Sequence, residues 1–279
     1  MTAGLVRKII VCADDYGMAA GINRAILDLI AKRRINATSV MAVGAAFTRE
    51  SAQALLDAAE AARCEIGLHV TLTAPFRPLT MHFRPLQSDM FLPLPAMLRA
   101  SIFRRPDAEI LRAEILAQLA AFGAAFGRPP DYLDGHQHVQ IFPVVRDAFL
   151  GAVQSVAPRA WVRQCGRVRS AGRGRRDRKS LLLDVLSKGF RARASRVGIR
   201  TNPAFAGAYD FSREPDFGAL FGGFLEGLPD GGLVMCHPGF VDATLIALDP
   251  LTRQREREYE FLAGERYLST LAERNVALA

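Results

Sequence analysis

An α/β fold of mainly parallel strands, in one domain spanning 1–279, is what this sequence predicts, and three observations carry the expectation. Short β-branched runs alternate with amphipathic stretches, the βαβ rhythm that enforces a parallel sheet. Several of those runs end abruptly on an acid or a histidine. The chain also has 279 residues, half of them apolar, enough to bury one large core without staples. Polar strand ends of this kind converge where parallel strands gather their C-terminal ends on one face, as in a (β/α) barrel or at the switch point of an open sheet.

The first run, Lys8 to Gly17 (KIIVCADDYG), joins Ile9, Ile10 and Val11 to Cys12 and stops at two adjacent acids, Asp14 and Asp15. It reads as an interior parallel strand. Side chains leave a strand on alternate faces, so the two acids can take different tasks at its end, with Gly17 supplying the bend. Alone, the pair would serve equally as the polar start of a loop that caps the next helix. That helix is Ala19 to Lys32, with Ile22, Ile26, Leu29 and Ile30 on one face, and Ala37 to Gly44 resumes as a strand. Alanine-rich Glu50 to Ala62 is helical and leads into CEIGLHVTLT (Cys64 to Thr73), the strand that carries His69.

Pro75 to Pro95 breaks the rhythm, with five prolines and no period. It lies in a loop insertion at about 74–105, the kind of long irregular segment that often covers an active site, with His82 exposed within it. Asp107 to Phe126 is an amphipathic helix stopped by Gly127 and Pro129. A strand from Tyr132 (YLDGHQHVQ) then delivers Asp134, His136 and His138, and Pro143 opens the next helix. Ala160 to Cys165 (AWVRQC) is a fifth strand, followed by a second loop insertion at about 166–180. SLLLDVLSKGFRARA continues as a helix with Leu182, Val185, Leu186 and Phe190 apolar. Packing by its leucines, with arginines in water, is expected there, although an interfacial membrane helix has the same pattern. Thr201 to Asp210 is a loop or short strand and Asp216 to Gly227 a helix. LVMCHPG (Leu233 to Gly239) is a strand ending at His237, and Pro250 to Glu273 closes as one long charged helix.

The net charge of +8 is concentrated. Thirteen Lys and Arg residues lie between Arg163 and Arg200, against only Asp177 and Asp184. Such a cluster suits nucleic acid, an anionic substrate or a membrane surface, but only Phe190 interrupts it as a stacking aromatic, so no nucleic-acid partner is expected. Cys12, Cys64, Cys165 and Cys236 have no Cys-x-x-Cys spacing and are expected reduced, buried and structural, in a cytoplasmic protein. No apolar run approaches the roughly 18 residues of a membrane span. The first apolar stretch runs into the acid pair, which argues against a cleaved signal.

Four of the five histidines therefore sit in three strand-end segments. One histidine at a strand end is usually a hydrogen-bonded structural residue; four, beside an Asp-Asp pair, are hard to explain as packing. An Asp with two His from different strands is a standard three-ligand set for a catalytic divalent metal such as zinc, manganese, iron, cobalt or nickel. In His-Gln-His both histidines share a strand face, so one can ligate while the other orients it or touches substrate. The remaining acid and His237 form an acid–base pair. This is the minimum apparatus for metal-assisted hydrolysis of an amide or ester. Phosphoester hydrolysis with the same ligands, and a basic anion-binding protein with a vestigial site, are the competing readings.

ADDYG, GLHVTLT, DGHQHVQ and CHPGF, in this order and spacing, resemble the YdjC-like carbohydrate deacetylases, a family that includes chitooligosaccharide deacetylases and deacetylases linked to hopanoid synthesis. The likeness runs from the first strand to the CHPGFVD segment. It implies a distorted TIM-like (β/α) barrel, a homodimer, and a hydrolase that removes acetyl from an N-acetylated sugar or glycan by cleaving a linear amide. Residue by residue, it implies that Asp15, His69 and His136 bind a divalent metal, zinc or magnesium. It makes Asp14 the general base and His237 the acid that protonates the leaving amine. His138, Asp134 and Arg163 remain as substrate or supporting contacts. Relatives often carry histidine where this chain has Gln140, a difference expected to affect substrate preference rather than the metal site. The arginine-rich stretch has no place in the family pattern. Because it follows a strand end, Arg173, Arg175 and Arg176 are expected to meet an anionic part of the substrate.

Overall fold

Ile9, Val11, Cys12 and Ala13 have no exposed surface, because the strand they form is covered on both faces and paired on both edges. The computed structural model describes residues 6–167, 178–211 and 215–279. In chain order its elements begin β1 (Arg7–Tyr16), α1 (Ala20–Ala31), β2 (Ala37–Val40), α2 (Arg49–Ala62) and β3 (Glu65–Val70). A short hairpin, β4 (Leu86–Gln87) and β5 (Met90–Phe91), precedes α3 (Leu94–Ile102), α4 (Ala108–Phe126) and β6 (Tyr132–Gly135). After a tight turn over His136–Ile141 come α5 (Val145–Val156), β7 (Trp161–Val162), α6 (Arg178–Arg196), β8 (Phe205–Ala206), α7 (Phe217–Phe224) and β9 (Leu233–Cys236). The chain closes with α8 (Ala243–Leu248), α9 (Arg253–Ala263), α10 (Glu265–Glu273) and β10 (Val276–Leu278).

The main sheet runs β7-β6-β3-β2-β1-β9-β8, with β10 added beside the start of β1. Every pairing in it is parallel. Two isolated parallel bridges, Val162 to Thr201 and Arg167 to Phe205, join its ends. The sheet thus curls into the distorted barrel that the resemblance implies, and the C-terminal ends of β1, β3, β6 and β9 share one face.

Local chemistry sets the helices. α1 buries Ile22, Ile26, Leu29 and Ile30. Thr48 and Ser51 form a capping box on α2. Asp107 accepts the Glu109 and Ile110 amides at the start of α4, which ends at Gly127 with φ 67°, where glycine carries no steric cost.

Several predicted elements differ. The fifth strand, expected over Ala160 to Cys165, is only Trp161–Val162, and the irregular insertion expected at about 74–105 holds the β4–β5 hairpin and α3. The long C-terminal helix is two helices, parted at Gly264. The second predicted strand stops at Val40 rather than Gly44. The strand predicted to carry both His136 and His138 stops at Gly135, and Gln137 (φ 54°) and His138 (φ 59°) turn left-handed. The two histidines therefore do not share a strand face.

The irregular segment after β3 is fastened to α4. Glu114, fully buried, accepts the amides of Leu79 and Thr80, the Thr80 hydroxyl, and the Gln118 amide at 2.7–3.0 Å. Gln118 in turn pairs with both backbone groups of Thr71, two residues beyond His69. Phe76, on the same segment, sets its ring against His136 edge-on at 5.7 Å. Glu114→Ala removes every acceptor at once and is expected to cost about 3 kcal/mol in urea denaturation. Glu109→Ala, at an exposed position on the same helix, is expected to change stability by under about 0.5 kcal/mol.

Candidate active site

β1 carries two acids into the barrel mouth, and its backbone separates their tasks. Asp15 has φ 73°, an uncommon left-handed conformation that Asp tolerates better than most residues. Asp14 and Asp15 are each 1% exposed, yet their neighbours differ. Asp15 Oδ1 lies 3.1 Å from His136 Nδ1 and 3.4 Å from His69 Nε2. One donor atom from each of these three residues lies within 4.8 Å of the others.

The groups behind them orient the donors. Asp134, from β6, lies 2.6 Å from His69 Nδ1; a proton on that nitrogen leaves the Nε2 lone pair facing Asp15. Arg255 Nη2 takes Asp15 Oδ2 at 2.6 Å and Asp249 at 2.6 Å, so Asp15 presents Oδ1. His69 and His136 meet edge to face at 5.4 Å. One carboxylate oxygen and two imidazole nitrogens, supported in this way, fit a divalent transition metal. The electrostatics agree. Burial works against an imidazolium at His69, but Asp134 and Asp14 outweigh it and raise its pKa to about 10. A field that holds a proton there also favours a divalent cation in its place.

Asp14 faces the other way. Arg163 grips it through both nitrogens at 2.6 Å, and Ser39 donates to Oδ1 at 3.1 Å. The same guanidinium lies 2.5 Å from Asp134. Burial would raise the Asp14 pKa, but Arg163, with His69 and His237, holds it well below the usual carboxylate range. Asp15 is likewise held low, its burial outweighed by Arg255 and by hydrogen bonds from His136 and His69. Cys12, Asp14 and Asp134 form a second cluster of potential ligands, but Arg163 already contacts all three and supplies its cation.

His237 follows β9, and its backbone N–H donates to Glu258 at 2.6 Å. Tyr209 hydrogen-bonds the other oxygen of that carboxylate. Burial lowers the His237 pKa to about 4, only partly offset by Asp15 and Asp14. Burial also raises Glu258 to about 7. His138 lies outside the donor cluster, with Nδ1 3.5 Å from Cys165 Sγ and its ring edge-on to Phe205. Gln140 is fully buried and donates to the Arg163 carbonyl at 3.1 Å, tying the turn to β7. This packing places it in the frame of the site rather than among its exposed groups. His82 is exposed, as expected. Arg173, Arg175 and Arg176 lie outside the described residues.

Arg255 and Glu258 are the supporting residues that sequence reasoning missed. They sit on α9, whose buried positions are Gln254, Arg255, Glu258, Phe261 and Leu262. The signal was the helical period itself: stepping back three residues from Phe261 or four from Leu262 reaches Glu258, and three more reaches Arg255.

A family model described as YdjC-like protein matches residues 8–273, from the first strand through α10. The chain belongs to the YdjC-like family. A chitooligosaccharide deacetylase of Citrobacter koseri is 28% identical, over 98% of this chain and 97% of that relative. A carbohydrate deacetylase of Mus musculus is 25% identical, over 84% and 78%. Among solved structures, a putative cellobiose-phosphate cleavage protein of Enterococcus faecalis V583 superposes with a TM-score of 0.70 at 20% identity, over 98% of this chain and 97% of that one. A peptidoglycan N-acetylglucosamine deacetylase gives 0.52 at 8% identity, over 99% and 86%. These two likenesses bear on the fold alone.

Arg163→Met leaves Asp14 and Asp134 buried without their cation and is expected to cost about 3–5 kcal/mol at pH 7. Asp14 lies below its ordinary value in the folded protein. Its stabilisation is therefore present above about pH 4 and lost as pH falls further. Urea denaturation of chelator-treated wild type and variant should show a gap that is widest at neutral pH and narrows toward and below about pH 4.

Proposed function

We propose that this YdjC-like protein is a metal-dependent carbohydrate N-deacetylase, cleaving the linear amide of an acetamido sugar to acetate and a free amine. The observation that carries the reading is the convergence of Asp15, His69 and His136 within 4.8 Å, in a chain whose relatives include proteins named chitooligosaccharide deacetylase and carbohydrate deacetylase. Asp15 Oδ1, His69 Nε2 and a His136 ring nitrogen would hold the ion. Two imidazoles and one carboxylate favour zinc over magnesium, which prefers oxygen ligands and its own waters. When bound, such an ion polarises the acetyl carbonyl and makes water more acidic.

The chain's own residues move the protons. Asp14 Oδ2 accepts one bond, from Arg163 Nη1, which leaves a lone pair to take a proton from the attacking water. Arg163 fixes that carboxylate, at the cost of making it a weak base. His237, at about 4, is neutral in the resting site. It therefore acts after the base: the proton that Asp14 takes from water passes to His237, which gives it to the leaving nitrogen as the C–N bond breaks. Asp134 holds His69 in one tautomer, and Arg255 fixes the rotation of Asp15. Four free, buried thiols, Cys12, Cys64, Cys165 and Cys236, support a reducing, cytoplasmic setting. Among the described residues no helix is long and apolar enough to cross a membrane. The homodimer belongs to the same reading, and sedimentation equilibrium tests it.

The test of activity is acetate release from a panel of N-acetylglucosamine oligomers and other acetamido sugars, by chelator-stripped protein given zinc, magnesium, manganese or cobalt. Release should require metal. Asp14→Asn and His237→Ala should each lower kcat roughly a hundred- to ten-thousand-fold while metal content stays at one ion per chain, whereas His69→Ala and His136→Ala should lose both ion and activity. Metal retained in all four variants would sink the ligand assignment. Wild-type protein that holds metal but frees acid without amine, or phosphate without acetate, would sink the amidase reading.

A further inference from the structure

The first half of α6 packs Leu183 and Leu186 partly against the core but leaves a second apolar strip in water. Leu181, Leu182 and Val185 are 43%, 39% and 68% exposed, and their spacing places them together on one face. Phe190 and Ala194, on the other side of the helix, are fully buried. The expectation that leucines pack this helix therefore fails for Leu182 and Val185, while Leu186, partly buried against the core, and Phe190 fulfil it. Along the outer side Lys188, Arg191 and Arg196 are exposed, and none has an ion-pair partner among the described residues. The one acid on the helix, Asp184, is taken by Arg167 at 2.9 Å, and Asp147 of α5 by Arg193 at 2.9 Å.

We propose that this outer face of α6 docks on an anionic phospholipid surface, its aliphatic residues entering the interface and its cations meeting lipid phosphates. Charge complementarity selects the partner. A second copy of the same face would set Lys188, Arg191 and Arg196 against one another with no unpaired acid on the helix to answer them. Nucleic acid would leave Leu181, Leu182 and Val185 without a partner, and the one aromatic of the helix, Phe190, is buried and unable to stack. A bilayer interface satisfies apolar and basic groups together, as it does for surface-lying amphipathic helices. The inner side of α6 stays with the barrel, where Ser187 accepts the Cys165 amide at 2.8 Å. Docking therefore needs no unfolding, and the proposal is independent of the catalytic reading.

The experiment is cosedimentation of the full chain with vesicles of phosphatidylcholine alone and of phosphatidylcholine carrying phosphatidylglycerol. The protein should sediment with the anionic vesicles only, and less as salt shortens the Debye length from about 10 Å at 0.1 M to about 3 Å at 1 M. The K188E/R191E/R196E variant should weaken the partition at least roughly a hundredfold, at about fivefold per lost cation. Leu181→Ser, Leu182→Ser and Val185→Ser together keep the charge and should weaken it roughly tenfold or more. All six positions are exposed, so unchanged thermal midpoints and unchanged turnover of a soluble substrate confirm that both variants are folded. Absence of anionic-vesicle binding, or binding that neither variant changes, overturns the proposal. So does loss in the charge variant alone with equal affinity for an oligonucleotide, which would assign the face to nucleic acid. A concentration-dependent dimer, abolished by the serine variant and unaffected by vesicles, overturns it in favour of a second copy.

Discussion

Three carboxylates, Asp14, Asp15 and Asp134, lie at 1% exposure or less at one end of the sheet, and two equally buried guanidiniums, Arg163 and Arg255, make that tolerable. Buried unpaired charges would cost several kcal/mol each. Counted formally, these three acids and Asp249, which shares Arg255 with Asp15, meet two positive groups, which leaves net negative charge facing His69 and His136. This residue of charge, with two imidazoles beside it, is what a divalent ion would complete. The barrel wall is built around the same balance: β1 supplies two of the acids, β6 the third, β3 one histidine, and the two arginines arrive from just beyond β7 and from α9.

The strand-end pattern made most of this legible. Ile9 to Cys12 before Asp14, Ile66 to Leu68 before His69, and Leu233 to Cys236 before His237 are apolar runs that announce both strand and terminus, because a buried parallel strand tolerates polar groups only where it emerges. Helices α1, α2 and α4 were legible to within a residue at each end for a similar reason: their periods are clear, and for α2 and α4 a Thr or Asp cap marks the start. What the pattern could not show was direction after a strand ends. His136 and His138 alternate as strand residues would, but two consecutive left-handed residues send them to different neighbours, and alternation carries no information about φ.

The harder residues to read were those whose charge resembles solvation. Arg255 and Glu258 lie in a run, RQREREYEF, whose composition is that of an exposed helix. Their burial follows from partners more than two hundred residues away for Arg255, at Asp15, and from Tyr209 and the His237 amide for Glu258. Composition weighs residues singly, whereas burial of a charge is decided by pairs. Arg163 was singled out but left between substrate contact and support. Its lack of exposed surface and its grip on two acids favour the supporting role.

That grip couples the two halves of the proposed chemistry. Asp14 is held by Arg163; Arg163 lies against Asp134; Asp134 hydrogen-bonds His69; and Ser39, 3.1 Å from Asp14 and 3.2 Å from His69, closes the ring. The proposed base and a proposed ligand are therefore one hydrogen-bonded unit, in which neither can rotate without disturbing the other. On the proposed reading, the arrangement would also let so weak a base serve. A carboxylate pulled far below its ordinary pKa takes protons poorly, and it becomes competent only against water that has itself been made acidic. The guanidinium that weakens Asp14 thereby ties its usefulness to the ion expected beside Asp15, and a site without that ion would be both unligated and without an effective base.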